Sequence, residues 1–187
     1  EFHLITPKLV VKEGAKLKAG DVIFYSKAEE KIKFVSPVSG IVQKIERGAK
    51  RVITEIVIEA DQKDDYLDHG VASIVSMDEN EIKNHLLATG CWPFIKQRPY
   101  DIIANPDIKP KAIFVSAFST APLAADFDFT LMGKEKELQA AVSAVSKLTD
   151  GVLNVGVGKN SKSIFEGLKD ISVHTVTGIH PAGNVGT

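Results

Sequence analysis

A chain of 187 residues, 44% apolar and 25% charged, is long enough for one or two packed domains and too apolar to remain disordered. A net charge of -1 argues against the basic face that nucleic-acid binding requires. The single cysteine, Cys91, excludes an internal disulfide and suits a reducing compartment. The longest strongly apolar stretch, 112–125, falls short of the ~20 residues that span a bilayer.

Residues 1–60 alternate short β-type runs (Leu9–Val11, Val22–Tyr25, Ile32–Val35, Ile41–Ile45 and Val52–Ile58) with turns at Gly14, Gly20, Gly40 and Gly48. Strands this short and this regularly spaced predict a small barrel or sandwich. An internal echo supports two similar β-halves: Val11-Lys-Glu-Gly14-Ala-Lys16 reappears as Ile45-Glu-Arg-Gly48-Ala-Lys50.

Residues 61–110 read as a connector. An acidic run, 61–68, comes first. Ser76-Met-Asp-Glu79 then has the spacing of a capping box, predicting a helix through Ile82, Leu86 and Leu87 that stops at Gly90. Pro93, Pro99, Pro106 and Pro110 forbid long elements after it.

Residues 111–187 alternate β and α. Ala112–Phe118 is a near-continuous apolar run, expected of a strand covered on both faces. Lys134–Leu148 places Leu138, Val142, Val145 and Leu148 on one helical face. Strands at Val152–Val155 and Ile171–Val176, with a short helix near Ser163–Lys169 between them, complete the pattern of a parallel sheet. The expected architecture is α+β: a barrel-sandwich hybrid followed by a Rossmann-like α/β domain.

Few motifs carry chemistry. The first region is similar to lipoyl and biotinyl carrier domains, with Gly14, Gly20-Asp21, Lys27-Ala28 and Pro37-Val-Ser-Gly40 in the carrier order. Lys27 would then be the modified lysine. Ser26 replaces the usual acid before it, however, and the hairpin is lengthened by Glu29, Glu30 and Lys31, so a solvated lysine is the plainer reading. Gly156-Val-Gly158-Lys-Asn-Ser161 follows a strand and invites comparison with a dinucleotide loop, whose backbone N–H groups approach a pyrophosphate. Ser161 stands at the third glycine position, and no acid ends the next strand. A tight β–α turn is again the plainer reading. Of five histidines (His3, His69, His85, His174 and His180), none has metal-ligand spacing. His180-Pro-Ala-Gly183 follows a strand, where parallel sheets carry ligand loops. The candidate cofactor-binding residues are therefore His180, Gly183, Gly156 and Gly158.

Several strings along the chain together resemble one family: Phe34-Val-Ser-Pro-Val-Ser-Gly40, Gly48-Ala-Lys-Arg-Val52, Gly90-Cys-Trp-Pro93 with Arg98-Pro99, Ala112-Ile-Phe-Val115, Pro122-Leu-Ala-Ala-Asp126 and His180-Pro-Ala-Gly183. The family is the A subunit of the sodium-translocating NADH:quinone oxidoreductase (Na+-NQR), of which this chain would be an internal piece. The resemblance implies a peripheral protein on the cytoplasmic face of a bacterial inner membrane, partnered by the other subunits of the complex. It implies an assembly or quinone-associated role with no redox cofactor of its own, because flavins, the iron–sulfur centre and NADH belong to other subunits. Two alternatives remain at this point. One is the C subunit of the related Rnf electron-transport complex; the other is a carrier module modified at Lys27.

Overall fold

The computed structural model describes residues 2–70, 73–159 and 163–183. Glycine-punctuated runs at the start of the chain form six strands: β1 (Pro7–Leu9), β2 (Lys16–Leu17), β3 (Val22–Ser26), β4 (Lys33–Val35), β5 (Gly40–Arg47) and β6 (Ile53–Ala60). They make two three-stranded antiparallel sheets, β1-β3-β4 and β2-β5-β6. The first strand lies two residues earlier than its apolar run suggests, and β2 has no counterpart among the expected runs, because two paired residues leave no periodic trace. Leu17, Ile23 and Val42 are buried against Val11, Phe24, Ile45, Ile56 and Ile58. The two halves of the sequence echo fold differently. Lys16 opens β2, whereas Ala49–Arg51 is a 3-10 turn joining β5 to β6.

Helix α1 (Glu79–Ala88) forms where an apolar face predicts it, but Ser76 does not cap it. Asp78 and Glu81 make the reciprocal capping box, each backbone N–H donating to the other's carboxylate at 2.8 Å. A carboxylate at the cap also suits the positive end of the helix dipole. The Ser76 hydroxyl donates instead to Ser73 O. The helix stops at Gly90, at φ +73°, and Cys91 N–H returns to Leu86 O. A two-stranded hairpin follows, β7 (Lys96–Gln97) with β8 (Ile102–Ile103).

The chain divides into two compact units, Glu1–Val71 with Lys83–Pro106, and Ala72–Ile82 with Asp107–Thr187. Residues 61–110 are thereby shared between the two, and the division falls within α1.

The second unit contains β9 (Ile113–Ser116), α2 (Phe127–Thr130), α3 (Glu135–Ser146), β10 (Leu153–Gly158) and β11 (Ser172–Val176). Its strands form a wholly parallel sheet in the order β9-β10-β11. Leu153, Val155 and Val157 alternate along the central strand, and each is at most 1% exposed. That alternation carries β10 through Gly156 and Gly158, whose glycine content predicts a loop. The short helix expected near Ser163–Lys169 is a 3-10 turn, Ile164–Gly167. Val115, Leu138, Ile164 and Leu168 pack with Val155, Val157 and Phe165 on one face of the sheet. The opposite face is open, since Phe114 is 65% exposed, contrary to the expectation that its strand is covered on both sides.

Two lysines fix the connections in this unit. Lys147 Nζ donates to the carbonyls of Ile74, Val75 and Met77 at 2.6, 3.2 and 2.8 Å. Lys109 Nζ lies 2.7 Å from Glu79 and 2.6 Å from Asp150.

Candidate functional site

A cleft of about 510 Å³ opens at the carboxyl ends of β9, β10 and β11. Open parallel sheets place ligands in this position, because loops from successive strands converge there. Phe118, Ser119, Lys159 and Thr177 reach it from those strand ends, and Asp126 and Asp128 reach it from the start of α2.

The loops after the two outer strands meet across this end of the sheet. Ser116 Oγ is within hydrogen-bonding distance of Phe118 O (2.9 Å) and Gly183 O (3.0 Å). Thr120 Oγ1 donates to Ala182 O at 2.8 Å and lies 3.3 Å from His180 Nδ1. The Phe118 ring sits between two glycines. A Cβ on Gly158 would come within 2.8 Å of one ring edge, and a Cβ on Gly183 within 2.6 Å of the other. His180, Gly183 and Gly158 are thus brought together around the segment that follows β9. Gly156 lies two residues before Gly158 in β10, paired with Ser116, and its carbonyl accepts from Ala117 N–H at 2.9 Å.

Amides at the start of the 3-10 turn Ile164–Gly167 are already partnered. Ile164 N–H donates to Asp128 Oδ1 at 3.0 Å, and Phe165 N–H to Ser163 Oγ at 3.3 Å. The Ser163 hydroxyl itself donates to Asp128 Oδ1 at 2.8 Å. Asp128 therefore supplies a carboxylate to the start of the 3-10 turn, accepting from both Ser163 and Ile164. Sequence reasoning missed it, because an acid 36 residues upstream of its partner leaves no motif. Ser161, the third position of the glycine pattern, lies outside the described residues.

Lys27 is exposed, and its backbone N–H donates to Thr6 O at 2.8 Å, extending the β1–β3 ladder one step past the Pro7–Ser26 pair. It is thus tied to β1 and does not stand at a free hairpin apex. The His69 and His85 rings meet edge to face with centroids 6.4 Å apart, and Cys91 is exposed. Among the described residues, no group of three or more His, Cys, Asp or Glu side chains could hold a metal ion.

The family model described as the NqrA second alpha/beta domain matches residues 77–187, more than half of the chain. The chain belongs to the NqrA family. The NqrA N-terminal barrel-sandwich hybrid domain matches residues 1–61, so the two family domains follow one another in order. Relatives named as the A subunit of Na(+)-translocating NADH-quinone reductase align along the chain. The protein of Saccharophagus degradans is 32% identical over 189 residues, covering all of this chain and 42% of the relative. That of Marinomonas sp. is 31% identical over 189 residues, with the same coverage. That of Alcanivorax borkumensis is 34% identical over 184 residues, or 97% of this chain and 41% of the relative. The chain thus spans about two fifths of the length of these NqrA proteins. Both domain matches fall within NqrA, so the Rnf protein and the free-standing carrier give way as alternatives. Among the described residues, no helix is long and apolar enough to cross a membrane.

Proposed function

We propose that this chain is part of the peripheral NqrA component of a sodium-translocating NADH:quinone oxidoreductase, placed on the cytoplasmic face of the bacterial inner membrane. It assembles with the other subunits of the complex and takes part in handling quinone, while NADH and the redox cofactors are bound elsewhere in the complex. The observation that carries this reading is the pair of NqrA domain matches, in order, along one chain.

Three features support the finer points. The parallel order β9-β10-β11 is that of one half of a Rossmann-like sheet, and the crevice lies where such sheets hold ligands. Asp128 already occupies the amide of Ile164, which favours an NADH site in a different subunit. The cleft is lined by Phe118, Ser119, Lys159 and Thr177. A flat ring with donors around it suits a quinone head group, whose two carbonyls only accept hydrogen bonds.

The test is titration of the protein with a short-chain ubiquinone analogue and, separately, with NADH, followed by backbone amide NMR shifts. Saturable quinone shifts centred on residues 117–119 and 177–178, with none from NADH, are expected. NADH shifts at 156–159 would overturn the division of labour. Failure to co-purify with the membrane subunits would overturn the assembly role.

A further inference from the structure

The two longest strands of the first unit, β5 and β6, pair from Gly40 with Ala60 to Arg47 with Ile53. β2 accompanies β5 only at Gly40 and Ile41, and Glu13 Oε1 accepts from Ile45 N–H at 2.8 Å. Past that point the ribbon is β5 and β6 alone, and residues 47–52 at its end are all exposed.

The end of this ribbon is a tight turn made of unfavourable residues. Val52 N–H donates to Ala49 O at 3.2 Å and Gly48 N–H to Val52 O at 2.8 Å, which leaves Lys50 and Arg51 at the two corners. Their φ values are +54° and +61°. Hairpin turns with both corners left-handed are normally Asn-Gly or Gly-Gly, because a Cβ in that region crowds the backbone. Lysine and arginine meet the cost here without burial or a side-chain cap to offset it.

The charges are unanswered as well. Arg47 Nη1 donates to Arg51 O at 3.3 Å, which draws a third cation to the same tip. Among the described residues, none of these three cations pairs with a carboxylate, whereas Lys18, Lys44, Arg98, Lys109 and Lys134 each do. The adjacent acid, Glu46, is taken by Lys44 Nζ at 2.5 Å. Like charges held this close repel one another unless an anion is supplied from outside.

We propose that the β5–β6 tip contacts the phosphates of an anionic lipid surface through Arg47, Lys50 and Arg51, with the exposed Val52 entering the headgroup layer. The inference rests on the peripheral placement proposed above. Shape favours lipid over a protein partner. Protein interfaces centre on aromatic anchors seated in pockets, and residues 46–55 contain no aromatic residue. Lipid headgroups instead rearrange around a narrow cationic tip. Three such charges raise partition about a hundredfold, enough to orient a subunit held by other contacts but not to anchor it alone.

The test is co-sedimentation of the 187-residue chain with vesicles of phosphatidylglycerol and phosphatidylcholine in equal parts, and of phosphatidylcholine alone. Binding to the mixed vesicles only is expected, fading as salt is raised. Arg47→Gln with Lys50→Gln and Arg51→Gln should lower partition about a hundredfold. Lys111→Gln with Lys136→Gln and Lys169→Gln removes the same charge from exposed lysines of the second unit and should leave partition little changed. Lys50→Gly with Arg51→Gly suits the left-handed turn, so it should melt no lower than the parent and still lose partition. Equal loss in both charge-neutralised variants would reduce the effect to net charge and overturn the proposal, as would failure of the parent to bind the mixed vesicles. If the parent ignored vesicles while the tip variant ceased to co-purify with the membrane subunits, the tip would belong to a protein partner. The peripheral placement would then survive and the lipid contact would not.

Discussion

The ring of Phe118 lies 2.8 Å from where a Cβ of Gly158 would stand. The second glycine of the Gly156-Val-Gly158 motif therefore serves an aromatic side chain of its own chain. Gly158→Ala must displace that ring, and overpacking of this kind costs about 1–3 kcal/mol. Urea denaturation of Gly158→Ala, Phe118→Ala and the double variant should show the double variant losing less than the sum of the singles. Additive losses would mean that the ring and the glycine do not compete for the same space.

Asp128→Ala leaves Ile164 N–H and the Ser163 hydroxyl without their acceptor. A loss of about 1–2 kcal/mol in unfolding free energy is expected. Asp128→Asn keeps one acceptor oxygen and should recover part of it. Loss of amide-exchange protection at 163–165 in the alanine variant would locate the effect.

Lys147→Met removes the donor shared by the carbonyls of Ile74, Val75 and Met77 while keeping a stem of similar length. The expected cost is about 1–3 kcal/mol, read by chemical denaturation. Arginine should rescue poorly, because a planar fork does not reproduce three donors around one nitrogen. Full rescue by Lys147→Arg would show that charge alone suffices.

At alkaline pH the test group is Lys109. The carboxylates of Asp150 and then Glu79 raise its pKa above the ordinary 10.5. A raised value means that the folded state holds the proton more tightly. The resulting stabilisation is fully present below pH 10.5 and is lost as pH rises through the folded-state value. Stability measured across the alkaline range should therefore fall less steeply in Lys109→Met than in the parent. Parallel curves would remove the ion triad from the account.

At the acid end Asp61 behaves in the opposite sense. The Ser39 hydroxyl, donating at 2.6 Å, and then the Lys63 N–H hold its carboxyl below the ordinary 3.8. Its stabilisation is present above pH 3.8 and is lost as pH falls through the lower folded-state value. Ser39→Ala should flatten that acid limb. It should also loosen Asp65, whose N–H donates to the same hydroxyl.

The β-rich first unit and the β–α alternation of the second are legible because glycine turns and apolar periodicity are local signals. The limits of β10 are not, because two glycines look like a turn. Val157 between them continues the alternation of Leu153 and Val155, and pairing with β9 as far as Gly156 and with β11 as far as Gly158 holds the strand together. The cap of α1 lies two residues beyond its expected place, since Ser76 and Asp78 both head plausible boxes and only the fold decides between them. Of the four candidate site residues, His180, Gly158 and Gly183 converge near Phe118, which carries no motif and does not stand out in the sequence. Asp128 escapes notice for the same reason: its partners at 163 and 164 are neighbours only after folding.

Trp92 is the only tryptophan in the chain; it is buried in the first unit, with its indole N–H donating to Ala104 O at 2.8 Å. Its emission is a gauge of that unit alone. A melt followed by tryptophan fluorescence will register the β-rich unit and pass over the parallel sheet, whereas far-ultraviolet circular dichroism responds to both. Coincident midpoints would mean that the two units unfold as one cooperative body, and separated midpoints would give each its own stability.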